Sequence, residues 1–595
     1  MANKNNKQRK KLKRKFSGNQ HTNRKIESLD KTSLQDEKNN PSLSLCKKSS
    51  ITPNESNCNL FIELQIFKCV IDMVGICPDC TSKINLKLIN EKHQGYANNM
   101  FLQCYKCDWT HEFYSSSFIS KKDNTELRGK KKFDINTRLV IAFREIGHGF
   151  EAIEKFSTFM NMPSLMSKNA YNNINKSVYQ AYADCANESM KKAAKEVRQI
   201  IKPNSNAVEL LESDISIDGS WQKRGYNSLN GVVTGIAREN QKVLDVQVFS
   251  KFCYGCSKWE DKFGSAEYID WKAKHICQIN HRTSSGSMES QGAVNIFASS
   301  IEKYNLRYMH YIGDGDTDSF KQVLDSKPYG EIAPKKLECI GHVQKRLGTR
   351  LRKLRSDMKS IKLADGKSIS GKGRLTDRLI NKMQNYFGMA IRQNLGQLYA
   401  MKKSVLAILW HFTDIKNLDV RHQFCPRSAI SWCKYQVDKI TGLSKYNSKG
   451  IIPEVIKKEI EKIFIDLSSD ELLSRCLEGT SQNANEAFNQ ILWRKCPKNT
   501  FVSKDILEMG TFSSVVSFND GFLALDNVLK NLGLTPGKYF FDHALVFDSK
   551  RVKNIQKKST DIVKNKRKKL RALRKGFIDK EKHKEGGDSY SKGSF

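Results

Sequence analysis

No apolar run in this 595-residue chain is long and uninterrupted enough to cross a membrane. The most apolar early stretch, CNLFIELQIFKCVIDMVGIC, contains Glu63, Lys68 and Asp72. The opening MANKNNKQRKKLKRK has no hydrophobic segment behind it, so no secretory leader is expected. Acidic residues are the other shortage. Against 101 Lys and Arg there are 63 Asp and Glu, a formal net charge of +38. That imbalance points to a polyanionic partner, and nucleic acid comes first because neutralised phosphates release counterions whatever the base sequence.

What is present is enough to fold. Hydrophobic content of 39% with 9% aromatics allows real cores, and the length suggests several domains. Residues 1–57 are polar, rich in Lys, Asn and Ser, and are expected to be disordered, as is the basic tail 550–595. The runs QRKKLKRK and NKRKKLRALRK suit nuclear-import signals or nucleic-acid arms, so a nuclear location is expected.

Sixteen cysteines in a chain without a leader favour metal over disulfides, because several fall in Cys-x-x-Cys pairs. Cys77 and Cys80, then Cys104 and Cys107, have the spacing of a four-thiolate structural zinc ribbon. Each knuckle fills two corners of a tetrahedron, leaving no open position. Further on, Ile146, Phe150, Ile153, Phe156 and Phe159 form a helical stripe. MNMPSLMS breaks it and a second helix starts near Ser167. This resembles a helix-turn-helix, with bundle packing as the equal alternative.

After Pro203 the texture changes. ESDISID reads as a strand delivering Asp218 at its C-terminal end, GVVTGIAR and KVLDVQVFSKF complete an antiparallel meander, and MESQGAVNIFASSIEKYN reads as a helix. RYMHYIGDGD is a fourth strand ending in carboxylates, and KKLECIGH a fifth. Meander, helix, then a strand with acids at two strand ends is the order of a ribonuclease-H-like fold. Two-metal phosphoryl transfer needs such carboxylates to converge on two divalent ions, and Mg²⁺ or Mn²⁺ prefers oxygen ligands. Asp314 directly follows its strand and is the preferred acid there; Asp316 is the alternate, and Asp318 is expected to cap the next helix. A third carboxylate is expected from GTSQNANEAFNQILW, where Thr480 or Ser481 would cap a helix presenting Glu486. Each aspartate alone would read as a turn former.

Together the motifs DGSWQKRGYNSLNG, CYGC, SSGSMESQGA, YIGDGD, CIGHVQKRLG, CPRSAISWCKYQ and NANEAFN, with RKKLRALRKGF near the end, resemble the Mutator-like transposase domain. The resemblance covers the chain from about residue 58 onward. It implies a cut-and-paste DNA transposase, or a domesticated relative, with an Asp-Asp-Glu triad in a ribonuclease-H-like core. Its first Asp falls on Asp218, its second on Asp314 and its Glu on Glu486. Cys339 and His342 match the Cys-x-x-His after the second Asp, implied to bind metal or touch DNA. Double-stranded DNA, as element ends and target, and a second copy of the chain are the implied partners. The alternatives are a non-catalytic nuclear DNA-binding protein derived from such an element, or a nuclease of the same fold.

Three further features are weighed from the residues. Cys253 and Cys256 with Cys277 and His281, preferred over His275, make a possible zinc knuckle. His411, His422, Cys425 and Cys433 permit another metal, although Trp410 and Trp432 suit a plain core equally well. Lys223 and Arg224 beside Asp218, and the stripe Arg346, Arg350, Arg352, Lys353 and Arg355, are expected on DNA phosphates. The interval from Asp314 to Glu486 far exceeds one connection, and Leu375, Leu379, Met383, Tyr386 and Phe387 recur at helical spacing. The expected organisation is therefore a mixed α/β, multidomain chain. It runs from a basic tail (1–57) through a zinc ribbon (58–120) to a helical DNA-binding region (134–202). A first core part with the knuckle insertion (210–372) precedes a helical insertion (373–475), a second core part carrying Glu486 (476–545) and a basic tail (550–595).

Overall fold

The computed structural model describes residues 59–577, apart from 90–93, 120–131, 164–165, 205, 207, 224–226, 316–317, 430, 443–445, 447–451 and scattered positions after 560. The 1–57 tail, Arg224 and Asp316 lie outside the described residues.

Alternation of apolar and polar residues builds the first sheet. Strands β1 (Ile84–Leu88), β2 (Asn99–Cys104) and β3 (Thr110–Tyr114) run antiparallel in the order β1-β2-β3. Their small core is Cys77, Ile84 and Cys104, too little apolar surface to hold a module of this size by itself. A helix, Leu64–Val74, precedes them.

Helices Asp134–Glu145 and Phe150–Phe159 follow, then a 34-residue helix, Lys168–Ile201. Its start lies where expected: the Ser167 side chain caps it, accepting the Ala170 amide at 3.2 Å. Tyr171, Ile174, Val178, Tyr182, Cys185, Ser189, Ala193 and Val197 keep one stripe buried from end to end. That stripe packs on helix Lys504–Asn519 and on the main sheet, so this helix is a strut of the core.

The main sheet comprises β4 (Leu211–Trp221), β5 (Asn230–Ala237), β6 (Val243–Ser250), β7 (Leu306–Gly313) and β8 (Lys335–Glu338). The spatial order is β6-β5-β4-β7-β8, antiparallel from β6 to β4 and parallel from β4 through β7 to β8. Strand period two sorts β4 into two faces. Ile215 and Ile217 join Met288, Ala293, Ile296 and Phe297 of helix Ser287–Ala298. Ser216, Asp218 and Ser220 face the opposite side, towards helix Asn483–Lys495. Gly292 lets the first of these helices come close, since a Cβ there would sit 2.6 Å from Val233.

Between β8 and helix Asn483–Lys495 lies a helical stretch that begins at Ile340, ahead of the 373–475 bounds expected for the insertion. Helices Ile340–Asp357, Asp377–Arg392, Leu398–Phe412 and Glu454–Leu467 enclose a separate apolar core that includes Leu375, Leu379, Met383 and Phe387. The C-terminal part differs from the disordered tail expected there. Helix Lys538–Ser559 runs into it, because Asp548 accepts the amides of Phe522 and Leu523 while Arg551 donates to the Ser517 carbonyl.

Candidate active site and metal centres

Asp218 and Asp314 reach one place by strand register. β4 and β7 are parallel partners with Ser216 opposite Ile312, and the two aspartates lie two residues further along each chain. Neighbouring strands are about 4.8 Å apart. His310 of β7 bonds Asp214 of β4 at 2.6 Å, so beyond the register shift after Ser213 the even-numbered positions of both strands share one face. β4 continues three residues beyond Asp218 to Trp221, so that aspartate lies within the strand rather than at its very end; Asp314 follows β7 directly.

Helix Asn483–Lys495 lies against this face through three successive rungs. Ser216 donates to Asn485 Oδ1, Asn489 donates to Asp218 Oδ2 and Trp493 Nε1 donates to Ser220, each at 2.7 Å. Gln482 adds a bond to the Ile217 carbonyl, also 2.7 Å. Glu486 projects from the same helix and is exposed, with Lys345 Nζ 3.9 Å from Oε1. The expected cap is corrected here: Gln482 occupies the cap position, and Thr480 instead donates to the Glu338 carbonyl at 2.9 Å. Helix Asp318–Asp325 begins at Asp318 among the described residues.

The electrostatics tie the acids together. Burial, then the Asp314 and Glu486 charges, push the Asp218 carboxyl up to about 7, against the His342 ring and the Asn489 amide, which favour the ionised form. A buried carboxylate raised by two carboxylate neighbours is a donor set suited to hard divalent cations. Cys339 follows β8, buried, with its sulfur accepting the Gln482 amide at 3.4 Å. His342 stands one turn on; its bond to the Cys339 sulfur raises the imidazole, and the Asp314 charge adds to this.

The basic stripe is already engaged. Arg346 pairs with buried Glu338, Arg350 approaches Asp466 at 3.8 Å, and Arg352 and Arg355 share Asp377 at 3.4 and 3.1 Å. These pairs tie helix Ile340–Asp357 to β8 and to the neighbouring helices of the insertion. Lys223, by contrast, is exposed just past β4.

Three Cys and His clusters could hold a structural metal such as zinc, each with its four donor atoms within 4.8 Å of one another. In the ribbon, Cys77 and Cys107 sulfurs are 3.5 Å apart and those of Cys80 and Cys104 3.4 Å. A tetrahedron with bonds of about 2.3 Å has edges of about 3.8 Å, so the fit is close. Bonds from Ser82, then Cys107, bring the Cys80 thiol down to about 6, towards the thiolate that metal requires.

The second cluster is Cys253, Cys256, His275 and Cys277. His275, not His281, is the fourth member. Its Nε2 lies 3.2 Å from Cys253 and 3.5 Å from Cys256, whereas His281 is turned away to Thr283, Ser284 and Ser287. The reason is local: helix Ala266–Lys274 ends at His275 and stacks Trp271 on that imidazole at 4.3 Å, aiming the ring at the thiols. The third cluster joins His411, His422, Cys425 and Cys433 in the helical insertion. Tyr446 bonds His422 Nε2 at 2.7 Å and leaves Nδ1 towards Cys433 at 3.4 Å, the outer-shell orientation common at metal-binding histidines. A plain apolar core would not turn four donors inward.

Sequence reasoning missed Gln482, Asn485 and Asn489. Their signal was present: three amides at spacings of three and four within QNANEAFNQ put a polar stripe on the buried face of a helix.

Residues 64–433 match the family described as Mutator-like transposase, well over half of the chain, and the chain belongs to that family. No curated protein matches it.

Proposed function

We propose that this member of the Mutator-like transposase family is a DNA transposase whose Asp218, Asp314 and Glu486 hold two Mg²⁺ or Mn²⁺ ions for DNA cleavage and strand transfer. The observation that carries the reading is that Asp218 and Asp314 each lie two residues beyond the paired Ser216 and Ile312 of parallel strands β4 and β7, with Glu486 on a helix bonded to β4. The sheet order supports a ribonuclease-H-like core, since an antiparallel meander followed by two parallel strands is that topology. The seven-part division of the chain, with a helical insertion splitting the core, is part of the same reading.

Divalent ions held there would activate water or a 3′-hydroxyl and stabilise the departing oxygen. The chain's own work is to build and shield that position. Asp218 and Asp314 converge from rigid strands, and Glu486 reaches the cleft from the solvent side. Lys223 and Lys345, both exposed, meet the phosphates on either side of the scissile bond, with Arg224 an adjoining candidate. The net charge of +38 supplies the long-range attraction that brings DNA to a cleft lined with carboxylates. The three Cys and His clusters take structural Zn²⁺, stiffening the ribbon, the loop between β6 and helix Ser287–Ala298, and the helical insertion. Cys339 and His342 act beside the acids, on the ions or on DNA. The protein works in the nucleus as an oligomer that holds element ends and target together.

The test is strand transfer with DNA carrying the inverted repeats that flank the element in its genome. Wild-type protein joins these ends to target DNA and Asp218→Ala does not. Cleavage without joining would instead mark a nuclease, and binding without cleavage a derived DNA-binding protein.

A further inference from the structure

We propose that Asn489 is a positioning residue: it turns the Asp218 carboxylate towards the divalent ion and offers its own Oδ1 to a water of that ion. This rests on the reading of Asp218 as an ion ligand and adds a residue to it. The geometry starts from a near-match of repeats. Two residues of strand advance about 6.6 Å and four residues of helix about 6.0 Å, so rungs spaced by two and by four stay aligned over a short distance. Residues 216, 218 and 220 meet 485, 489 and 493 in this way, each bond 2.7 Å long.

The outer rungs are structural. Asn485 is buried and its amide also donates to Ser216 and Thr234, while Trp493 donates to the Ser220 hydroxyl. The middle rung differs in two respects. Its acceptor is a carboxylate, so the bond is charge-assisted and decides which Asp218 oxygen remains for an ion: Oδ2 is taken. Its other atom, Asn489 Oδ1, is buried and has no partner among the described residues. A buried amide oxygen left unpaired is costly, and a cation's bound water would satisfy it.

The experiment measures Mn²⁺ binding to the full-length, zinc-loaded protein by electron paramagnetic resonance, without DNA. Asn489→Leu, similar in volume and without donor or acceptor, is expected to weaken Mn²⁺ about tenfold, the usual scale for an outer-shell group. Trp493→Phe removes a neighbouring rung and is expected to lower the melting temperature while leaving Mn²⁺ affinity unchanged. Should Asn489→Leu fail to fold by circular dichroism, Asn489→Ser serves, with a smaller weakening expected. Wild-type Mn²⁺ affinity in the folded Asn489 variant, with Asp218→Asn greatly weakened, would overturn the role of Asn489 alone. Unchanged affinity in Asp218→Asn as well would overturn both this role and the site on which it rests.

Discussion

The guanidinium of Arg346 lies against Gly315, where a Cβ would sit 2.5 Å from Nη2 and 2.8 Å from Cζ. Gly315 follows Asp314, and Arg346 is held from behind by buried Glu338. The arginine therefore packs on the backbone directly after Asp314, the second acid of the proposed site. Arg346→Met would strand the Glu338 charge and is expected to cost about 3–5 kcal/mol, read by urea unfolding. Gly315→Ala drives a Cβ into Nη2, the atom that bonds Glu338, so the guanidinium and the backbone beside Asp314 must move apart. DNA cleavage is expected to fall about 100-fold, with a much smaller loss of stability.

Zinc content separates the clusters. Full-length protein is expected to carry three zinc ions per chain by elemental analysis, one for each cluster. Cys77→Ser with Cys104→Ser removes one, and so does His275→Ala. His281→Ala removes none, because its ring is committed to Thr283, Ser284 and Ser287. Loss of zinc in His281→Ala with retention in His275→Ala would reverse the assignment.

A buried pair far from the cleft sets an acid limit on stability. Burial raises the Glu145 carboxyl, but Lys495 at 2.8 Å and the hydroxyls of Ser513 and Tyr182 more than compensate, and its pKa lies below the ordinary 4.5. A depressed carboxyl stabilises the fold above its unfolded value and loses that contribution as pH falls through the folded value. Melting temperature is therefore expected to drop steeply below about pH 4.5 in wild type. Glu145→Gln should be less stable at pH 7 and show a shallower acid slope.

Asp218 has the opposite sign. Its carboxyl, raised from 3.8 to about 7, keeps a proton in the folded protein that the unfolded chain gives up. In EDTA, stability is expected to fall as pH rises from about 4 to 7, and Asp218→Asn should abolish that component. Divalent-ion binding must displace the same proton. Mn²⁺ affinity is expected to rise by up to about tenfold per pH unit below 7, with proton release measurable by calorimetry in buffers of different ionisation enthalpy.

Much of this was legible in the sequence because it rests on local rules. Strand alternation and turn residues mark the β4-β5-β6 meander, the Ser167 cap marks the long helix, and the repeated Cys-x-x-Cys marks the ribbon. The positions of Asp218 and Asp314 follow from where β4 and β7 run out of apolar alternation. What was misread depends on contacts between distant segments. His275 and His281 have similar spacing from Cys256, and only the Trp271 stack decides between them. The acidic partners of the arginine stripe, Asp466, Asp377 and Glu338, could not be read from the sequence because their contacts form only in the fold. The cap of the Glu486 helix failed for the same reason: Thr480 is drawn to β8 by the Glu338 carbonyl. A polar stripe on one helix face carries no sign of what it meets, so the amides facing β4 needed the fold.

Asp218, Asp314 and Glu486 are proposed to form one divalent-ion site, and iron-directed hydroxyl-radical cleavage of the chain tests this most directly. Fe²⁺ replaces Mg²⁺ in the zinc-loaded protein, and ascorbate with peroxide cuts the backbone beside the bound ion. The expected fragments end near residues 218, 314 and 486 together, and all three cuts disappear with excess Mg²⁺ or in Asp218→Asn. Cuts confined to the Cys and His clusters, or a pattern unchanged in Asp218→Asn, would contradict it.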